Sequence, residues 1–189
     1  DHLYNTPADA DVKHSLAPRI DLELLTPYRS YLQKNIPETL AESFKKDPQQ
    51  LVNWCKDSLT IRTDLNTGST VTSPAGTWKS RVVDANSRDI FFVAAARSLN
   101  IPAWKDEVNG NIYYMQNNER VQVNFDAAVS SQPSEGTLKA TYKPISRLSN
   151  PKYYSHFSIS KYENGTFKLL NYPYDETTWE SLLKNGTAL

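Results

Sequence analysis

The run DANSRDIFFVAAARSLNIPAW, residues 84–104, predicts the element around which the fold is built. Residues 90–96 are all apolar, so a helix formed here would be surrounded by protein on most sides. Asn86 or Ser87 can cap this helix, because a short polar side chain accepts the first free backbone N–H groups. Asn100 can take the left-handed conformation that ends a helix, and the Ile-Pro pair after it prevents continuation. The pattern therefore predicts a buried central helix.

Helical patterns also precede the central helix. In residues 26–35, TPYRSYLQKN, Thr26 is placed to cap a helix whose first position is a proline. Residues 37–59 place apolar side chains at helical spacing, and the Asp47-Pro48 pair predicts a break into two helices. Asp47 would cap the second of these helices, which contains Cys55, the only cysteine of the chain.

Beyond residue 102 the pattern changes to short runs that alternate polar and apolar residues. The runs are AWKDEV at 103–108, NIYYMQ at 111–116, RVQVNF at 120–125, TLKATYKP at 137–144, YYSHFSISKY at 153–162 and TFKLLNY at 166–172. Turn residues such as Asn-Gly separate them, which is typical of an antiparallel sheet. Alternation in the fifth run places His156 on its polar face. Helices followed by strands predict the α+β class.

The polar run SSQPSEG, residues 130–136, is the best candidate for a domain boundary, because strand patterns lie on both sides of it. We expect one domain over residues 1–130 and a β-rich extension, or the start of a second module, over residues 137–189. The chain begins with Asp1 rather than with methionine. We therefore expect it to be a trimmed piece of a longer precursor.

Charge and composition exclude several functions. The 21 basic residues balance the 21 acidic ones and the isoelectric point is about 7.0, so no net field would hold nucleic acid. No apolar run reaches the roughly 18 residues that a membrane-spanning helix needs. The 3 histidines are far apart in sequence, and a single cysteine provides no internal disulfide. We expect neither a metal site nor another cofactor.

The run RDIFFVAAARSLNIPAW, residues 88–104, resembles the transglutaminase-like family of the papain-like fold. In that family a cysteine opens the helix, an apolar stretch with small residues follows, and an Arg-x-x-Gly-Ile-Pro-Ala-Arg run ends it. Here the ending is RSLNIPAW, with Asn100 and Trp104 as departures. The longer run RVVDANSRDIFFVAAARSLNIPA resembles a branch of such domains from secreted Bacteroidetes proteins. The resemblance covers residues 51–126 and implies N-terminal helices and a central helix packed on an antiparallel sheet.

In that family the dipole of the helix N-terminus lowers the pKa of the thiol, a histidine on a later strand takes its proton, and an acidic residue or an amide orients the histidine. Counting back from the RSLNIPA run at the end of the helix, without a gap, places the nucleophile at Ala85. A shift of two residues places it at Ser87 instead. If Asp126 is the orienting acid, the histidine position falls at Asn111. A methyl group cannot attack a carbonyl, and an amide cannot act as a general base. The resemblance therefore implies that the catalytic cysteine and histidine have been replaced.

We therefore expect a degenerate, non-catalytic transglutaminase-like domain that acts as a peptide- or glycan-binding or scaffolding module. The alternative is an active thiol or serine acyl-transfer hydrolase, with protease, amidase or transglutaminase activity. A connector module without a ligand of its own is a third interpretation. The resemblance also implies that the protein is secreted, periplasmic or displayed on the cell surface.

A cleft left at the helix N-terminus would be a concave polar site able to hold a neutral or anionic ligand. Its predicted lining is Asp84, Asn86, Ser87 and Arg88 from the helix start, with Asn111, Tyr113 and Asp126 from the adjacent strands. The alternative is that these polar groups bind one another and close the cleft. Cys55 is either a displaced nucleophile or a small apolar residue of the interior.

Tyrosine is abundant in the strand-rich part of the chain. The residues are Tyr113, Tyr114, Tyr142, Tyr153, Tyr154, Tyr162, Tyr172 and Tyr174. Exposed rows of tyrosine suit carbohydrate or peptide surfaces, because the ring is apolar and the hydroxyl is polar. Half-buried strand positions are the other explanation for them.

Overall fold

The computed structural model describes residues 14–62, 64, 70–125, 141–163, 166–174 and 177–180. The chain divides into two compact units. One comprises Asp1–Asp106 and Asn111–Ser130, and the other comprises Glu107–Gly110 and Ser131–Leu189. The expected boundary segment, residues 130–136, lies outside the described residues. Helices and small sheets occur together in the chain, which confirms the predicted α+β class.

Helices α1 to α5 belong to the first unit. Their bounds are α1 Tyr28–Asn35, α2 Glu38–Lys46, α3 Gln49–Ser58, α4 Pro74–Ser80 and α5 Ala85–Ser98. The predicted break at Asp47 is confirmed, because this residue has an extended backbone between α2 and α3. Its carboxylate accepts the N–H of Gln49 at 3.1 Å, although Pro48 occupies the cap position.

None of the helices in the described ranges combines the length and the apolar content needed to cross a membrane.

The predicted start of α1 is displaced by one residue. Pro27, expected as the first helical residue, has ψ of 58° and occupies the cap position instead. Thr26 therefore lies before the cap, and its carbonyl accepts the N–H of Tyr28 at 2.8 Å. Its hydroxyl is buried without a hydrogen bond among the described residues. A capping side chain accepts the N–H of the second or third helical residue, whereas Thr26 lies one residue before the cap position.

Helix α5 is the centre of the first unit. Its residues from Ile90 to Ser98 are all buried, most of them completely, and the helix packs against α1, α3 and α4. The cap is Asp84, whose Oδ1 accepts the N–H of Ser87 at 2.9 Å. The expected caps, Asn86 and Ser87, are wrong because both already have helical backbone, whereas Asp84 is extended. A carboxylate at this position also favours the positive end of the helix dipole.

The end of α5 agrees with the sequence prediction. Leu99 is the last cap residue, and Asn100 is left-handed with φ of 63°. The N–H of Ile101 donates to the carbonyl of Ala96 at 2.9 Å, and the N–H of Asn100 donates to that of Arg97 at 3.2 Å. These two bonds form a Schellman motif, which satisfies carbonyl groups that the helix end would leave free.

Short strands precede and follow α5 in the sequence. A parallel pair, β1 Thr60–Ile61 and β2 Val82–Val83, precedes the helix. The antiparallel strands β3 Ala103–Lys105, β4 Ile112–Gln116 and β5 Glu119–Gln122 follow it. Tyr114, on the face towards α5, is buried with its ring 6.1 Å from that of Phe92. Trp104 and Tyr113 are paired across β3 and β4 on the opposite face.

The second unit contains one antiparallel pair among its described residues, β6 Ser160–Glu163 with β7 Thr166–Leu169. Residues 153–159 were predicted as strand but form turns and isolated bridges, because Tyr154 has a left-handed φ of 61° that interrupts extended backbone. His156 therefore lies in a turn, where its Nδ1 accepts the N–H of Lys152 at 3.0 Å. In the run TLKATYKP, residues 141–144 are not strand and the rest lies outside the described residues.

Candidate functional site

The first residues of α5 are the ones predicted to form one side of the site. Ala85 is the first helical residue and is exposed to solvent. This is the position that the sequence resemblance, taken without a gap, would assign to a nucleophile. The helix N-terminus supplies free N–H groups and a partial positive charge, which would activate a thiol placed here. The alanine methyl group has no lone pair to donate, so no covalent chemistry can begin at this position.

Ser87, the other candidate for the nucleophile position, is fully buried. Its Oγ donates to Asp84 Oδ2 at 2.6 Å and accepts the N–H of Thr72 at 2.9 Å. The hydroxyl therefore joins the helix cap to the loop before α4. The expectation that Ser87 lines an open cleft is wrong for this structure, because none of its surface reaches solvent. Asp84 is half-buried and uses both carboxylate oxygens on Ser87.

Asn86 is linked to strand β3 through a lysine. The Nζ of Lys105 lies 2.6 Å from Asn86 Oδ1 and 2.5 Å from Asp21 Oδ2. The side chains of Lys105 and Asp21 are 17% and 29% exposed, so their ion pair is partly shielded from water. The ammonium group lies near the positive end of α5, and the Asp21 carboxylate offsets the resulting repulsion.

Sequence reasoning missed both charged members of this cluster. Lys105 could have been predicted from the sequence. Alternation along the strand from the small residue Ala103 places it on the face towards α5. Asp21 had none, since 84 residues separate it from Lys105 and no periodic pattern connects the two.

Arg88 pairs with its neighbour in the sequence, Asp89. Its Nη2 lies 3.1 Å from Asp89 Oδ1, and its guanidinium carbon lies 4.0 Å from the ring centroid of Phe125. The side chains of Arg88 and Asp89 are 14% and 21% exposed. The pair therefore covers the interior beside Phe125, which is a structural role for a residue predicted to line the site.

On the strand side, Asn111 and Tyr113 are hydrogen-bonded to each other. The Nδ2 of Asn111 donates to Tyr113 Oη at 3.3 Å, and the carbonyl of Asn111 accepts the N–H of Asp106 at 2.7 Å. Tyr113 is buried, with its ring stacked at 5.6 Å on Trp104 and the Arg120 guanidinium 4.8 Å away. Asn111 precedes β4, and its side chain is an amide rather than the imidazole that the sequence resemblance would place here. The third strand-side residue, Asp126, lies outside the described residues.

Cys55 occupies the interior rather than a cleft. Its side chain is completely buried in α3. Burial raises the pKa of the Cys55 thiol far above its usual value, and the opposing effects of the Arg88 and Arg81 charges are smaller. Since the thiolate is the nucleophilic form, this cysteine stays protonated and unreactive at neutral pH. The geometry favours the structural interpretation of the residue.

A cluster that sequence reasoning did not anticipate lies just before β2. The guanidinium carbon of Arg81 is 3.8 Å from the ring centroid of Trp78 and 4.4 Å from that of Trp54. The two indole rings stack on each other at 5.1 Å. Arg81 has a left-handed φ of 58°, and its Nη1 is buried without a hydrogen bond among the described residues. The cation is held by aromatic faces instead.

The structure thus gathers the predicted residues into small hydrogen-bonded groups. Asp84 binds Ser87, Asn86 binds Lys105, and Asn111 binds Tyr113. No cluster of three or more His, Cys, Asp or Glu side chains suited to a metal ion occurs in the described part of the chain.

Comparisons with protein-family models, with curated proteins and with solved structures gave no match for this chain.

Proposed function

We propose that this chain is a degenerate, non-catalytic transglutaminase-like domain that acts as a peptide- or glycan-binding or scaffolding module outside the cytoplasm. One observation carries the proposal: the exposed first position of the buried central helix is Ala85. This is the place where the family keeps its nucleophile and where the helix dipole would activate a thiol.

The remaining hydroxyl and thiol near the helix support the same conclusion. Ser87 is buried, and its Oγ is engaged by Asp84 and by the N–H of Thr72. Cys55 is buried, and its raised pKa keeps it protonated. A general base is also missing at Asn111, because a carboxamide nitrogen has no lone pair available to take a proton. Without a nucleophile and a base, acyl transfer would lose the largest contributions of a catalytic triad.

A binding or scaffolding role is supported by the groups that remain at the helix start. Asn86, Lys105 and Asp21 form a half-buried polar cluster beside the exposed Ala85. Asp21 balances the charge of Lys105, so it is the partial positive charge of the helix N-terminus that favours a neutral or anionic partner. The same contacts also join α5 to β3 and to the segment before α1, so they contribute to the fold of the first unit.

The first test is turnover by the purified chain. We expect transamidation, deamidation and peptide hydrolysis to stay at background, measured with a glutamine-containing peptide, a fluorescent primary amine and an ammonia assay. The rival function, an active thiol or serine hydrolase, requires turnover that disappears in Cys55→Ala or Ser87→Ala. Such a result would overturn the proposal.

A second test asks whether Ala85 occupies the position of a former nucleophile. In Ala85→Cys, the helix N-terminus should lower the pKa of the new thiol and speed its alkylation by iodoacetamide at pH 7. The matched control is Lys34→Cys, an exposed position in the last turn of α1, where the dipole has the opposite sign. Equal rates in the two variants would argue against the assignment of Ala85. Turnover should stay at background in Ala85→Cys, since Asn111 still provides no base.

A further inference from the structure

The loop between β3 and β4 contains an asparagine that is followed directly by a glycine. Asn109 lies in a turn, and Gly110 after it has a left-handed φ of 73°. Gly110 is exposed, and beyond its two chain neighbours no heavy atom lies within 4 Å of the place that a Cβ atom would take there. The main chain is therefore open on this side, and glycine has no side chain to shield its own nitrogen.

Backbone hydrogen bonds hold the rest of this loop in place. The N–H of Asp106 donates to the carbonyl of Asn111 at 2.7 Å, which closes the loop next to the ladder of β3 and β4. The N–H of Asn171 donates to the carbonyl of Val108 at 2.8 Å. A change in the length of the main chain between these bonds would therefore strain them.

The turn between β4 and β5 provides a comparison within the same sheet. It consists of Asn117 and Asn118, which are both exposed and left-handed, with φ of 53° and 63°. Gln116 and Glu119 pair directly across it. Both of these asparagines are more exposed than Asn109, but each is followed by a residue that has a side chain. The two turns therefore separate the effect of exposure from the effect of the following residue.

We propose that Asn109 is a site of spontaneous deamidation. The backbone nitrogen of Gly110 gives its proton to solvent base and attacks the side-chain carbonyl carbon of Asn109. A new C–N bond closes a five-membered succinimide ring, the C–N bond to the side-chain NH2 group breaks, and ammonia leaves with a proton from solvent. Water then opens the ring at either carbonyl, which gives aspartate or isoaspartate at position 109. The reaction needs no reactant other than water.

The following residue decides which asparagine reacts. The succinimide ring includes the backbone nitrogen of that residue, so a side chain there hinders both the attack and the conformational change that precedes it. Gly110 has no side chain, and glycine reaches backbone conformations that are closed to other residues. The residues after Asn117 and Asn118 lack this freedom, and the two-residue turn is held by the strand pair across it.

Isoaspartate would lengthen the main chain of the loop by one methylene group. The bonds at Asp106 and at Val108 fix the path of the loop on the N-terminal side of Asn109. We therefore expect the isoaspartate form to be less stable than the wild type. Asn109→Asp introduces the same charge with an ordinary main chain, so it separates the effect of the charge from the effect of the added length.

The test is prolonged incubation of the folded chain at pH 8, followed by digestion with chymotrypsin and mass spectrometry. Cleavage after Tyr113 and Tyr114 separates Asn109 from Asn117 and Asn118. We expect the peptide that contains Asn109 to exchange NH for O while the peptide that contains the other two stays unchanged. Labelling by isoaspartate methyltransferase identifies isoaspartate, and a sample digested without incubation gives the background.

Two variants test the chemistry. Asn109→Gln should lose the mass change, because glutamine must close a larger ring. Gly110→Ala should lose it as well, because the methyl group hinders the nitrogen, and a melting curve verifies that this variant is folded. The acidic fraction of the incubated wild type, isolated by anion exchange, should melt below Asn109→Asp. The other Asn-Gly pairs, residues 164–165 and 185–186, lie outside the described residues and are assigned from their own peptides.

Three results would overturn the proposal. The first is that Asn109 keeps its amide in the folded chain while the chain unfolded in guanidinium chloride loses it, because the fold would then protect this site. The second is that Asn117 or Asn118 is converted as fast as Asn109. The third is that the folded Gly110→Ala variant is converted at the rate of the wild type.

Discussion

Replacement of Ser87 by alanine separates a structural role of this residue from a catalytic one. The substitution removes the 2.6 Å bond to the Asp84 carboxylate and leaves the N–H of Thr72 without its acceptor. A hydrogen bond to a charged group contributes about 1.5–3 kcal/mol, and an unsatisfied buried donor costs about 1–3 kcal/mol. Alanine recovers only about 0.5 kcal/mol through its higher helix propensity. We therefore expect the free energy of unfolding of Ser87→Ala to fall by about 2–5.5 kcal/mol.

The assay is urea unfolding followed by circular dichroism, with Ser43→Ala as the control. Ser43 is exposed on α2, so its replacement should change the free energy of unfolding by less than about 0.5 kcal/mol. A catalytic serine would behave in the opposite way, because active-site groups are commonly kept at the expense of stability. If Ser87→Ala is as stable as the wild type, the hydrogen-bond argument is refuted.

Three further outcomes are expected. Ala95→Asp should unfold the first unit, because an unpaired carboxylate in the interior costs several kcal/mol, and an unchanged melting transition would contradict the burial of α5. Cys55 should react with a maleimide at pH 7 only after denaturant is added. Burial raises the pKa of the Cys55 thiol only in the folded chain. As the pH rises past about 9.0 the unfolded chain therefore loses its thiol proton first, and the free energy of unfolding falls. Cys55→Ala has no thiol to lose a proton, so its free energy of unfolding should not fall in this way. The difference in the free energy of unfolding between wild type and Cys55→Ala should therefore shrink between pH 8 and pH 10.

Much of the secondary structure of the first unit follows from local rules. The apolar run in α5, the left-handed Asn100 and the break at Asp47 each depend on a few neighbouring residues, and each is present as predicted. The errors at helix starts have a local cause as well. A side chain caps a helix only if its own backbone is extended, and Asp84 satisfies this condition whereas Asn86 does not.

The second unit was harder to predict because alternation alone did not determine its backbone. The run around His156 has the period of a strand, yet Tyr154 takes a left-handed conformation that favours glycine or asparagine. Contacts with the buried Tyr153 compensate for this cost. Tertiary contacts of that kind leave no signal in local propensity, so the turn at residues 153–159 could not be read from the sequence.

The hydrogen-bond partners of the polar groups at the start of α5 could not be predicted from the sequence. Hydrogen bonds between Asn86 and Lys105, and between Lys105 and Asp21, span 19 and 84 residues of sequence. A sequence pattern shows that a polar group is present, whereas its partner depends on how distant segments meet. The alternative in which the polar groups bind one another fits the contacts of Ser87 and Asp84 at this site.

The geometry of α5 also separates Ala85 from Ser87, the two positions that the sequence resemblance would assign to a nucleophile. Successive residues of a helix are rotated by about 100°, so Ala85 and Ser87 point in directions about 160° apart, towards nearly opposite sides of the helix. Ala85 is exposed and Ser87 is completely buried, which matches this rotation. A nucleophile must be reached by its substrate, and therefore only the ungapped alignment places it where chemistry could occur. At that position the chain has a methyl group, so the proposal of a non-catalytic domain depends on Ala85 more than on any other residue.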